Sequence, residues 1–133
     1  MSVRAFFDTT IFVYAIVQGD PRADAALALA TGGGVVSLQV LNEFAAVARK
    51  KAKMSWTDIR VALESITVLC PNPLPITLDT HTRAIAIAET HGFKIYDALI
   101  VASALEGRCT TLYSDMQDGQ VMEGKLTIRN PFR

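Results

Sequence analysis

Val3-Arg4-Ala5-Phe6-Phe7-Asp8-Thr9-Thr10-Ile11-Phe12-Val13-Tyr14-Ala15 opens the chain and sets its architecture. A short apolar run ends in a carboxylate, two hydroxyls follow, and a second apolar run begins. That order predicts a buried strand, a turn and the first turn of a helix. Ligands of open α/β sheets sit just outside the carboxyl ends of the strands, where Asp8 is expected to stand.

Downstream the same alternation continues. The first helix, residues 11–17, breaks at Gly19-Asp20-Pro21. Pro21 suits the first turn of the next helix, with Asp20 as its cap, running from Arg22 to about Ala30. Gly32-Gly33-Gly34 reads as helix termination and a tight turn. A phosphate-cradling loop would need a following Lys-Ser/Thr and a helix, and neither is present. Short strands are expected at residues 35–37, 76–77, 110–113 and 126–128. Helices are expected at 38–51, 56–66, from Asp79 or Thr80 to His91, and 96–106. Trp56 is expected to be a packing anchor. The whole predicts an α/β chain, residues 1–133 as a single domain, with a parallel sheet of about four to five short strands and helices on both faces.

Half of the 133 residues are hydrophobic, enough for a real core. Lys+Arg and Asp+Glu are 13 each, so the chain lacks a general positive coat for nucleic acid. Cys70 and Cys109, far apart and outside any CxxC, read as small core residues of a reduced protein. Arg4 and Asp8 interrupt the opening apolar run, which argues against a signal peptide. No stretch of 18 apolar residues occurs, so a soluble cytoplasmic protein with no membrane contact is expected.

Four acids break the hydrophobic pattern. Asp8 and Asp115 each follow a predicted strand, and those two strands should be neighbours at the switch point of the sheet. Glu43 lies among Val40, Phe44 and Val47 on the apolar stripe of its helix. A buried carboxylate there needs a cation, a backbone terminus or a metal. Asp97 opens a helix rich in apolar side chains and could also serve as its N-cap. Four carboxylates sharing a cleft repel one another at neutral pH unless cations neutralise them. An all-oxygen set suits Mg2+ or Mn2+ rather than zinc, and phosphodiester hydrolysis is the chemistry such a centre supports. Asp118 and Ser114 lie in a turn-like stretch and are weighed as turn residues as well as accessory site residues.

Asp8-Thr9-Thr10 after an apolar strand, Asn42-Glu43-Phe44 in a helix, Tyr96-Asp97-Ala98-Leu99-Ile100 at a helix start and Tyr113-Ser114-Asp115-Met116-Gln117-Asp118-Gly119-Gln120 after a strand resemble a PIN domain. The resemblance is to the VapC-type ribonuclease toxins of toxin–antitoxin pairs. It implies a parallel sheet of about five strands and Mg2+- or Mn2+-dependent cleavage of RNA. It also implies a homodimer and inhibition by an antitoxin whose tail enters the cleft. The family's metal-binding acids map onto Asp8, Glu43, Asp97 and Asp115. Thr9 matches the small hydroxyl position and Asp118 a more variable one. Thr10 stands where the family often has asparagine, so its hydroxyl would replace the amide as support for the first acid.

Three other readings compete. An aspartyl-nucleophile phosphotransferase needs a second Asp where Thr10 stands. A phosphoacceptor receiver domain needs an Asp at the third strand, which Pro75-Ile76-Thr77 does not provide. A catalytically silent PIN-like binding module would carry the same fold without turnover.

Overall fold

The computed structural model describes residues 4–16, 19–116 and 118–132. Val3, Val17 and Gln117, read above as parts of the first strand, the first helix and the late turn, lie outside the described residues. β1 (Ala5–Phe7) passes through Asp8 into α1 (Thr9–Ile16), the order expected from the opening stretch. Next come α2 (Ala23–Thr31), α3 (Leu38–Lys50), α4 (Trp56–Leu69), α5 (Leu78–His91) and α6 (Ile95–Glu106). β2 (Thr111–Tyr113), β3 (Val121–Met122) and β4 (Leu126–Arg129) complete the chain.

The sheet runs β1-β2-β4-β3. β1 and β2 are parallel, with Phe7 level with Tyr113, and β2 and β4 are parallel. β1 therefore neighbours the strand that carries Ser114 and Asp115, as the sequence reading expects. The chain leaves β1 toward Val35 on one side and returns as β2 on the other, so the carboxyl end of β1 lies at a reversal of strand order.

Two expected strands take another form. Residues 35–37 dock by isolated parallel bridges, Phe6 with Val35 and Ser37 with Leu74. Residues 76–77 are not a strand. Thr77 is the N-cap of α5 and forms a capping box with Thr80, displacing the expected caps Asp79 and Thr80. β3 was not expected. It pairs antiparallel with β4 through a tight turn in which Glu123 and Gly124 have φ of 52° and 66°. Such turns suit the twist of hairpin strands but usually carry Asn-Gly, so Glu-Gly is a weak signal. Asp20 does not cap α2; its carboxylate instead accepts from the Arg22 backbone N–H and pairs with the Arg22 guanidinium.

The core gathers Phe6 and Phe7 of β1, Ile11 of α1, Phe44 of α3, Ile100 of α6 and Leu112 of β2, all fully buried. Residues 98–105 of α6 are buried without a break, which makes α6 a central helix with no solvated face along that stretch. The glycine run ends α2 and lets the chain press against β1. A Cβ on Gly34 would sit 2.6 Å from the Phe7 ring, so only glycine fits there. Cys70 and Cys109 are buried and free. Trp56 is not a packing anchor: it is 53% exposed, with the Arg49 guanidinium 5.1 Å from its ring. No helix among the described residues is long and apolar enough to cross a membrane.

Candidate active site

The parallel register of β1 and β2 builds the centre of the site. With Phe7 level with Tyr113, the next residues, Asp8 and Ser114, also stand side by side. The Asp8 backbone N–H donates to the Tyr113 carbonyl at 3.0 Å. Ser114 Oγ donates to Asp8 Oδ2 at 2.6 Å and accepts the Met116 N–H at 3.1 Å. Asp8 Oδ1 accepts the Thr9 N–H at 2.6 Å, so one oxygen serves the start of α1. Asp8 is only 6% exposed. Burial, aided by the charges of Glu43 and Asp97, raises its pKa from 3.8 to about 6, against the opposing pull of the Ser114 and Thr9 hydrogen bonds.

Glu43 reaches the same place from α3. Thr9 Oγ1 donates to Glu43 Oε2 at 2.9 Å, and Gln39 Nε2 donates to Oε1 at 3.0 Å. A hydroxyl and an amide thus hold the carboxylate that was expected to need a cation, a backbone end or a metal. Gln39 lies four residues before Glu43, one turn away on the same helix face, and that spacing was its available signal.

Asp97 lies in the first turn of α6 but does not cap it. The N-cap is Lys94, without a side-chain hydrogen bond, so the Asp97 carboxylate is left for the cleft. Burial raises its pKa, the charges of Glu43 and Asp115 add to this, and Lys94 opposes it. Asp115, just beyond Ser114, is exposed and accepts the Tyr14 hydroxyl at 2.8 Å.

Asp8, Thr9, Thr10, Glu43, Asp97 and Asp115 all border one cavity of about 780 Å3. Tyr14, Arg22 and Lys51 border it too, and sequence reading did not single out Tyr14 or Arg22 for the site. Tyr14 follows Thr10 by four residues on α1, the spacing that puts two side chains on one helix face. Ser114 does not border the cavity but grips Asp8 beside it. Asp118 is not brought to the cavity. Its Oδ1 accepts the Asn130 N–H at 2.8 Å, the work of a turn residue.

The donor set fits a hard divalent cation. Five carboxylates border one space; Asp20 is paired with Arg22, and neither ion pair among the described residues involves Asp8, Glu43, Asp97 or Asp115. Thr10 Oγ1, on the same wall, is buried without a hydrogen-bond partner among the described residues. Oxygen ligands alone suit Mg2+ or Mn2+. As the side chains stand, no group of three or more His, Cys, Asp or Glu among the described residues is arranged to hold an ion.

The family model described as "PIN domain" matches residues 5–117. The chain belongs to the PIN domain family. Among solved structures, this PIN domain is similar to a toxin–antitoxin complex from Klebsiella pneumoniae. The two are 26% identical with a TM-score of 0.70, over 96% of this chain and 97% of that one. Mycobacterium tuberculosis VapC20, described as a sarcin-ricin loop cleaving toxin, is 18% identical with a TM-score of 0.68, over 86% of this chain and 91% of that one. VapBC2 from Rickettsia felis, bound to a DNA fragment from its promoter, is 19% identical with a TM-score of 0.63, over 96% of this chain and 98% of that one. At those two identities the likeness is one of fold. A search of curated proteins gives no significant match.

Proposed function

We propose that this PIN domain is an endoribonuclease that depends on Mg2+ or Mn2+ and is the toxin of a toxin–antitoxin pair. The observation that carries the reading is the meeting of Asp8, Glu43, Asp97 and Asp115 around one cavity at the carboxyl end of β1 and β2. When bound, the cation supplies Lewis-acid charge at the scissile phosphate and makes water a better nucleophile. Asp8 and Asp97 would be the principal ligands. Glu43 and Asp115 would hold a second ion or orient the attacking water.

The chain's other residues prepare this set. Ser114 and the Thr9 N–H aim the Asp8 carboxylate, while Thr9 Oγ1 and Gln39 aim Glu43. Thr10 Oγ1 offers an unused hydroxyl on the same wall. Lys51 brings positive charge to the cavity border, where an RNA phosphate can be drawn past the acids.

The toxin assignment rests on likeness to the Klebsiella complex, which pairs a toxin with an antitoxin. It implies an antitoxin as partner, and the resemblance to VapC-type toxins adds a homodimer as the proposed assembly. RNA cleavage by the purified protein, with Mg2+, Mn2+ or chelator, tests the activity. Cleavage with either ion, lost in chelator and in Asp97→Asn, is the expected result. Binding of RNA without cleavage under any ion would favour a silent binding module, and cleavage by Asp97→Asn at the parent rate would overturn the ligand assignment.

A further inference from the structure

Tyr14 has no role in the scheme above, yet its surroundings are specific. Its hydroxyl spans from α1 to the end of β2 and donates to Asp115 Oδ2 at 2.8 Å. The ring is held by neighbours on its sides. The Arg22 guanidinium lies 3.7 Å from the ring centroid, and Phe132 meets the ring edge-to-face at 5.1 Å. Each neighbour is itself fixed. Asp20 grips Arg22 through two bonds of 2.9 and 2.8 Å. The Phe132 N–H donates to Asn130 Oδ1, and the Asn130 N–H donates to Asp118 Oδ1.

Asp115 needs such a hold. It stands in an exposed connection after β2, and among the described residues its one side-chain hydrogen bond comes from Tyr14. Asp8 and Glu43, by contrast, each receive two hydrogen bonds. Ordering a free carboxylate at the moment of ligation costs rotamer entropy, which a prior hydrogen bond removes.

We propose that Tyr14 is a positioning residue that holds Asp115 ready to serve a divalent cation in the cavity. The proposal rests on the metal-dependent nuclease reading above. It also gives Asp118 a part at a distance, since Asp118 anchors the turn that seats Phe132 against Tyr14.

Tyr14→Phe is the test, because it keeps the ring and both stacking contacts and removes only the hydroxyl. Two readouts separate the possibilities. In the metal-free protein, NMR couplings report the Asp115 χ1 rotamer, expected to be single in the parent and averaged in the variant. In titration calorimetry the variant is expected to bind Mn2+ about three- to tenfold more weakly. Its kcat on RNA should fall by a similar factor with KM unchanged, and its thermal stability should stay at the parent level, which a merely structural role would not produce. An Asp115 rotamer and a Mn2+ affinity that do not respond to the substitution would overturn the proposal. A parent protein that binds no Mn2+ would instead overturn the metal reading, and with it the purpose assigned to this contact.

Discussion

Asp8→Asn should make the metal-free protein more stable, although it destroys a principal ligand. Burial holds the Asp8 pKa near 6 rather than its ordinary 3.8, a difference worth about 3 kcal/mol between its two protonation states. The folded pKa is raised above the unfolded one, so the folded chain binds a proton that the unfolded chain releases. The contribution to stability is then fully present below about pH 4 and is lost as pH rises through about 6. At pH 7 the parent bears the full cost of a buried charge among other acids. An asparagine keeps an acceptor for the Thr9 N–H and removes the charge, but it weakens that bond, which ionisation strengthens, and its amide N–H must donate to Ser114 Oγ where the carboxylate accepted. The net gain expected at pH 7 is therefore about 1–3 kcal/mol, or roughly 4–10 °C in melting temperature for a chain of this size. Urea unfolding in chelator at pH 4.5, 5.5 and 7 measures it. The parent should lose stability across that range, and the variant should lose distinctly less. A variant less stable than the parent at pH 7, or a parent indifferent to pH between 4 and 6, would refute the reasoning.

Other expectations follow from the same geometry. Mn2+ at a hundredfold excess over its Kd should raise parent stability by about 2.7 kcal/mol, and neither Asp8→Asn nor Asp97→Asn should show that gain in a thermal melt. Glu43→Gln should depress cleavage by about a hundredfold or more while the fold persists, because Thr9 and Gln39 both donate and an amide presents only one acceptor. Kinetics on labelled RNA, with circular dichroism as the control for folding, checks this. Asp118→Ala should leave Mn2+ affinity within about threefold of the parent and cost about 1 kcal/mol through the lost Asn130 contact, read by calorimetry and by denaturant unfolding. Trp56→Ala should cost no more than about 1 kcal/mol, whereas Phe44→Ala, in the core, should cost about 3–5 kcal/mol in the same unfolding assay.

Much of the architecture was legible because it is written in local chemistry. Apolar runs of strand length, closed by Asp8 or by Ser114-Asp115, announce their ends regardless of the rest of the chain. Helix stripes such as Val40, Phe44 and Ala48 need only their own periodicity, and those residues are buried as that stripe requires. The misreadings occur where a neighbour decides. Residues 35–37 have the composition of a strand but meet β1 through a single bridge. Residues 76–77 read as a strand but lead into the capping box of α5. β3 is two residues long and exists because β4 lies beside it. Trp56 follows its helix cap like an anchor, yet its ring is left to Arg49 and solvent.

The amino-acid order by itself determined that acids punctuate the carboxyl ends of two strands and the starts or faces of two helices, since a carboxylate in an apolar pattern is visible without coordinates. Only the tertiary structure decided what each acid touches. Ser114 meets Asp8 across 106 positions, Tyr14 meets Asp115 across 101, and Thr9 meets Glu43 across 34. Hydrogen bonds act over about 3 Å, so partners that far apart along the chain are set by strand register and helix packing, not by sequence spacing.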